Sequence, residues 1–326
     1  MNRIPVHIVT GFLGAGKTTF LNHFIGERLP ERIVVVENEF GATNVDGALV
    51  MNGVKDVVEL TAGCLCCDLS DGLLDVLREL YQRRDEFDRL VIETTGIADP
   101  SSIMQVFLEN PSVEKVYDLQ QVISLVDAGN IEDWLNETEE ALRQIAVADV
   151  LLLNKTDRVS EDQQEEVLSL LFGINPQARV FKGMNGVFPV DKIMEAGTVK
   201  PESIEIIGQM PDHFHQHDTV SENRHKITTF TIAFPHPLDL NHLQVELNRI
   251  VHLYREQVYR VKGFIAIPGY PNRVILQSAR SAFIVTDGSP WETEHDRVGK
   301  LVFIGRNLNK PAFERMFKRH MVTPAD

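Results

Sequence analysis

Apolar residues recur along the first two hundred positions in two alternating rhythms. Short apolar runs of strand length lie at about 4–10, 32–37, 57–60, 88–93, 121–127, 149–154 and 178–182. Between them, apolar residues fall at helical spacing near 17–28, 68–83, 137–147 and 160–172. Phe20, Leu21, Phe24 and Ile25 mark one such helix, and Leu69, Leu73, Leu74, Leu77 and Leu80 mark the next. Strand alternating with helix predicts an α/β fold with a mostly parallel sheet, whose ligands bind at the carboxyl ends of the strands. Val150–Leu153 is apolar at every position, as a strand buried on both faces requires.

The pattern breaks near 198–224, where "QMPDHFHQHDTVSEN" reads as a linker. From there "HKITTFTIAF" opens a second rhythm, with a helix near 239–255, three or four short strands through 306 and a last helix, "PAFERMFKRH". The expected organisation is an α/β domain over 1–205, a linker over 206–223 and a smaller α+β domain with an antiparallel sheet over 224–326.

The first strand runs into Gly11-x4-Gly16-Lys17-Thr18, and a helix follows at once. That is the P-loop pattern in its strand–loop–helix setting. Gly11, Gly14, Ala15 and Gly16 let the backbone turn N–H groups toward phosphate, while Lys17 neutralises the β/γ oxygens. The Thr18 hydroxyl is the expected Mg²⁺ ligand, and Thr19 continues the phosphate contact at the helix start.

The buried run at 149–154 ends in Asn154-Lys155-x-Asp157, which resembles the guanine-specificity motif of P-loop GTPases. The Asp157 carboxylate can accept hydrogen bonds from guanine N1–H and the 2-amino group. Adenine offers neither, and would leave the acid unpaired. Lys155 can cover the base with its stem while Asn154 braces the loop, so GTP is the expected nucleotide. The strand near 88–93 ends in Glu93-Thr94-Thr95-Gly96, corresponding to the D-x-x-G switch with Glu in place of Asp. Gly96 is placed to offer its N–H to the γ-phosphate. Lys17, Glu93 and Gly96 are thus the candidate catalytic residues. Ile97 stands where Ras-like enzymes carry a water-orienting glutamine, so slow intrinsic turnover is expected.

Every cysteine of the chain lies in "GCLCC": Cys64, Cys66 and Cys67. Thiolates are soft ligands that select zinc, Cu(I) or Fe–S clusters, with Co²⁺ accepted geometrically. Three at most leave a tetrahedral ion at least one position for another residue or an exchangeable ligand, and an open site is what transfer requires. Asp68 reads as an N-cap, which sets the thiols at a helix N-terminus that favours thiolate. A redox Cys64/Cys67 pair and simple burial of small apolar side chains are the alternative readings. "ENEFG" offers Glu37 and Glu39, one for Mg²⁺ and the other to complete the cysteine site. His213, His215 and His217, alternating in the linker, form a weaker candidate metal site or polar filler.

Taken together, GFLGAGKTT, ENEFG, GCLCC, ETTG and NKTD, in that order, resemble the CobW-type metal-handling GTPases (the YjiA-like group). The resemblance continues through "RVKGFIAIPGYPNRVILQ" and "LVFIGRNL". It implies a GTPase that delivers or senses a transition metal, often zinc, for a client apo-metalloprotein. Cobalt or iron delivery for cobalamin synthesis or nitrile hydratase maturation, and zinc sensing or storage without delivery, remain alternative roles. Relatives often carry a further acid after ENEFG, where this chain has Ala42.

Composition removes several other classes. A net charge of −15 gives nucleic acid or an anionic membrane no electrostatic footprint. No apolar run of about 18 residues is present, so no membrane span is expected. The start lacks a long apolar stretch with a small-residue cleavage site, and with reduced thiols this points to the cytoplasm. Homo-oligomer formation is left open by the sequence.

Overall fold

The computed structural model describes residues 3–39, 56–61, 69–196, 227–279, 282–291, 293 and 297–318. Two compact units are present, 1–198 and 199–326.

The first unit opens with β1 (Ile4–Gly11), α1 (Lys17–Glu27), β2 (Ile33–Glu39) and β3 (Asp56–Thr61). Next come α2 (Leu69–Gln82), β4 (Arg89–Thr94), α3 (Ser101–Glu109), the single turn α4 (Pro111–Glu114) and β5 (Tyr117–Asp127). The unit ends with α5 (Ile131–Glu137), α6 (Glu139–Val147), β6 (Val150–Asn154), α7 (Glu161–Ile174), β7 (Arg179–Lys182) and α8 (Val190–Ala196). Its seven strands form one sheet in the order β3-β2-β4-β1-β5-β6-β7, and every adjacent pair is parallel.

The core explains the apolar runs. Val9, Val35, Val91, Ile123, Leu125, Val150 and Leu152 pack with Phe20, Leu21, Phe24 and Ile25 of α1 and Val190 and Ile193 of α8. The alternate residues Ile8, Ile92 and Val122 are equally buried and point to the other face. Helices α2, α3 and α6 pack against the sheet or each other, and the Tyr117 hydroxyl donates to the Leu77 carbonyl at 2.8 Å. Ser160 and Gln163 close a capping box at the start of α7.

Helices α3, α4, α5 and α8 go beyond the expected elements, and β5 begins at Tyr117 rather than near 121. The reason is tertiary. The polar start of β5, "YDLQQ", pairs with β1 across a register shift at Val6/His7, a partnership between residues more than a hundred positions apart.

The second unit holds β8 (Ile227–Phe234), α9 (Leu240–Tyr254), β9 (Val258–Ile265), β10 (Asn272–Ala279), β11 (Ala282–Pro290), β12 (Gly299–Arg306) and α10 (Lys310–Lys318). The sheet runs β11-β10-β9-β12-β8 with every pair antiparallel. Leu243, Leu247 and Ile250 of α9 and Phe313 and Phe317 of α10 pack with Phe230, Val261, Leu276 and Phe303 of the strands. Asp239 caps α9 by accepting from the Asn241 and His242 N–H groups. The fold is therefore an α/β P-loop domain with a parallel sheet plus a smaller α+β unit with an antiparallel sheet. No described helix is long and apolar enough to cross a membrane.

Candidate functional site

Five strands of the parallel sheet deliver their carboxyl ends to one edge, and the sequence candidates gather there. β1 ends in Gly11, in register with Leu125 of β5, and β5 ends in Asp127, in register with Asn154 of β6. On the other side of β1, Glu93 of β4 lies in register with Val9, and Glu37 of β2 lies in register with Glu93.

The P-loop is built around its glycines. Gly14 and Gly16 take φ of 76° and 102°, which side chains with a Cβ rarely adopt. At Gly16 a Cβ would also sit 2.5 Å from Asn154 Nδ2. That amide donates to the Ala15 carbonyl at 2.9 Å, and its oxygen accepts from the Gly186 N–H at 3.1 Å. Asn154, buried at the end of β6, therefore ties the P-loop to the loop after β7. No side chain caps α1, and its first turn holds no acid, so the positive end of the helix is open to an anion. Lys17 donates Nζ to the Gly11 carbonyl at 2.9 Å, which holds the ammonium over the same loop. Thr18 is half-buried at the start of α1. This donor set fits a nucleotide triphosphate with its cation.

The switch-like segment is fixed from two sides. A Cβ on Gly96 would approach the Leu13 backbone nitrogen to 2.6 Å, so this glycine lets the segment pass directly against the P-loop. From behind, Gln144 of α6 donates Nε2 to the carbonyls of Gly96 and Ala98 at 3.1 and 3.0 Å. Arg143 pairs with Asp99 at 3.0 Å. Thr94 donates to the Thr10 hydroxyl at 2.8 Å inside the sheet. The neighbouring Thr95 hydroxyl is buried with no hydrogen-bond partner among the described residues, the kind of atom that a ligand or water completes.

At the base end, Lys155 adopts a left-handed φ of 59° and reaches back to Asp127, Nζ to Oδ2 at 2.7 Å. Asp127 also accepts from the Gly129 N–H at 2.9 Å and from Asn130 Nδ2 at 3.0 Å. Burial alone would raise the Asp127 pKa; the hydrogen bonds from Lys155, Asn130 and Gly129 outweigh it and hold the carboxyl below its usual range. Asp157 is exposed, open to a ligand. Thr156 donates Oγ1 to the Gly183 carbonyl at 3.0 Å, which brings the 183–187 loop beside the Asn154–Asp157 segment.

Glu37 and Glu93 are half-buried and share one register row. Glu39 is described by its backbone alone. Cys64, Cys66, Cys67, Asp68, Ala42, His213, His215 and His217 lie outside the described residues. Among the described residues no three His, Cys, Asp or Glu side chains are grouped to hold a metal ion. The sequence reading missed Asp127, Gln144 and the 183–187 loop. A signal for Asp127 was present, because it ends an apolar run as Asn154 does. Gln144 carries no local signal.

Two family models match the chain: "CobW/HypB/UreG, nucleotide-binding domain" over residues 5–182, and "Cobalamin synthesis protein cobW C-terminal domain" over 227–321. The chain belongs to the CobW family of P-loop GTPases. It is a GTP-hydrolysing enzyme related to metal-handling chaperones. Among its CobW-family relatives, the zinc chaperone YjiA of Escherichia coli K12 is 33% identical over 321 residues, covering 97% of this chain and 98% of that protein. The zinc chaperone CobW of Pseudomonas aeruginosa is 30% identical over 97% of this chain and 91% of that protein. The crystal structure of Zn(II)-bound YjiA GTPase from E. coli superposes with a TM-score of 0.76 at 29% identity, covering 99% of this chain and all of that one.

Proposed function

We propose that this CobW-family GTPase is a metallochaperone that binds zinc through Cys64, Cys66 and Cys67 and hands it to a client apo-metalloprotein under control of its nucleotide state. One observation carries the reading. Glu39 of β2 pairs in register with Thr61 of β3, so ENEFG and the cysteine segment leave neighbouring strands at the same edge of the sheet. β4, ending in the Glu93–Gly96 segment, adjoins β2 on its other side. A γ-phosphate engaging Gly96 therefore acts within two strands of the end of β3, from which the chain runs on to the cysteines, and loop movement there can couple the two ligands.

In this reading Gly11, Gly14, Ala15, Gly16, Lys17 and Thr19 hold the phosphates, and Thr18 with one of Glu37 or Glu39 serves Mg²⁺. Asn154, Lys155 and Asp157 form the base site. Mg²⁺, when bound, neutralises charge developing on the β- and γ-oxygens. Glu37 or Glu39 supplies the fourth ligand beside the three thiolates, and this carboxylate, in place of a fourth thiolate, is the ligand that the client's own donor displaces. Zinc is favoured over cobalt because the relatives are zinc chaperones over nearly their whole lengths. We extend the proposal to the organisation of the chain: the domain over 224–326 and the linker over 206–223, with His213, His215 and His217 as auxiliary metal contacts, meet the client.

The test is zinc affinity by chelator competition on the full chain. Serine at Cys64, Cys66 and Cys67 is expected to abolish tight binding while GDP affinity stays within about twofold. Wild-type zinc affinity in that triple variant would sink the assignment.

A further inference from the structure

Asp127 has no place in the phosphate or metal chemistry, yet it is an ionised carboxylate only 1% exposed. Burying such a group requires compensation, and three donors supply it. Two of them, Gly129 N–H and Asn130 Nδ2, are local and shape the turn after β5. The third is Lys155, twenty-eight positions away on the neighbouring strand's loop and the closest of the three at 2.7 Å. Lys155 is thereby pinned at both ends. Its backbone is set in the left-handed region, and its ammonium is docked on a buried anion. Between those points its four-carbon stem has little freedom left. The residue two positions on, Asp157, is exposed to receive a base.

We propose that Asp127 is a positioning residue for the nucleotide base: it holds the Lys155 stem extended in advance, as a preformed apolar surface on which the purine ring packs. This rests on the reading of Asn154–Asp157 as the base site. A long flexible side chain that must be immobilised at each binding event weakens affinity, and prior anchoring removes that cost. The stem touches the flat face of the ring, which guanine and hypoxanthine share. Asp157 reads the edge, where the 2-amino group distinguishes them. The two residues therefore divide affinity from specificity.

The experiment is calorimetry of GDP and IDP binding to the full chain, with GTP turnover measured alongside. Asp127→Asn preserves shape and an acceptor for the Gly129 N–H; it removes the charge that holds Lys155 and, with it, the oxygen that Asn130 Nδ2 shares. It is expected to weaken GDP and IDP by the same factor, about five- to tenfold. KM for GTP should rise to match while kcat at saturation is retained. In a Lys155→Met background the same change should cost less than about twofold, the part carried by Asn130, because the anchored group is already gone. A loss as large there as in the wild type shows that Asp127 only shapes the turn, and overturns the proposal. Should Asp127→Asn not fold, Lys155→Met alone must show the same loss for both nucleotides; wild-type affinity would overturn it equally. Asp157→Ala separates the two levels. If it fails to collapse the preference for GDP over IDP, the base-site reading itself is wrong. If the preference collapses but Asp127→Asn binds as wild type, only the role of Asp127 falls.

Discussion

Replacing Asn154 with alanine tests how the P-loop is held. The side chain is 2% exposed and makes two hydrogen bonds, donating to the Ala15 carbonyl at 2.9 Å and accepting from the Gly186 N–H at 3.1 Å. Asn154→Ala leaves both backbone groups inside the protein without their partner. Each buried unsatisfied group costs about 1–3 kcal/mol, and a water entering the space recovers part of it. The expected loss of stability is about 3 kcal/mol, which lowers the melting temperature by about 6–12 °C. Nucleotide affinity should fall with it, because the Ala15–Gly16 peptide is the part of the loop that Asn154 fixes. Urea unfolding of the ligand-free chain and GDP titration of the same preparation read the two effects. A stability loss below about 1 kcal/mol with unchanged GDP binding would refute the claim that this amide ties the P-loop to the loop after β7.

Two further outcomes follow from neighbouring geometry. Gly96→Ala is expected to slow GTP turnover about 5- to 160-fold, the range for 1–3 kcal/mol of forced displacement. Its Cβ would lie 2.6 Å from both the backbone nitrogen and Cγ of Leu13, so adding Leu13→Ala relieves the side-chain contact but not the backbone one and should not bring the rate back to wild type; full restoration would place the clash in the side chain alone. On the opposite edge of the sheet, His7 is buried against Arg89, which pairs with Glu31, itself paired with Arg28. Burial first, then the charges of Arg89 and Arg28, push the His7 pKa well below 6.5. The unfolded chain thus binds a proton that the folded chain excludes, and stability is full above pH 6.5 and lost as pH falls below it. Urea unfolding at pH 7.5 and 5.5 should show a drop about 1.4 kcal/mol larger for the wild type than for His7→Gln. Equal drops would mean that His7 titrates normally in the fold.

The parts of this protein that short-range physics dictates were legible before any coordinates. Val150–Leu153 can only be a buried strand, and Gly11, Gly14 and Gly16 sit where a strand must turn into a helix around an anion. The Asn154–Asp157 motif was visible for the same reason, because it follows a strand that had to be buried. What sequence could not supply were the contacts between distant segments. The start of β5 looked polar and irregular because its partner is β1. Gln144 sits on a helix with no motif, and matters only because α6 passes behind Gly96 and Ala98. Asp127 stands between these cases: its position at the end of an apolar run was readable, its grip on Lys155 was not. The short helices α3, α5 and α8 span only seven to nine residues each, too few for periodicity to define.

The central claim is that nucleotide state governs the metal held by the cysteine segment. It is tested most directly by measuring zinc affinity of the full chain against a calibrated chelator, once saturated with Mg²⁺–GDP and once with Mg²⁺ and a non-hydrolysable GTP analogue. The two dissociation constants are expected to differ by about tenfold or more, the coupling that about 1.4 kcal/mol between the sites produces. The difference should vanish in the variant with serine at Cys64, Cys66 and Cys67. Equal zinc affinity in the two nucleotide states would contradict it.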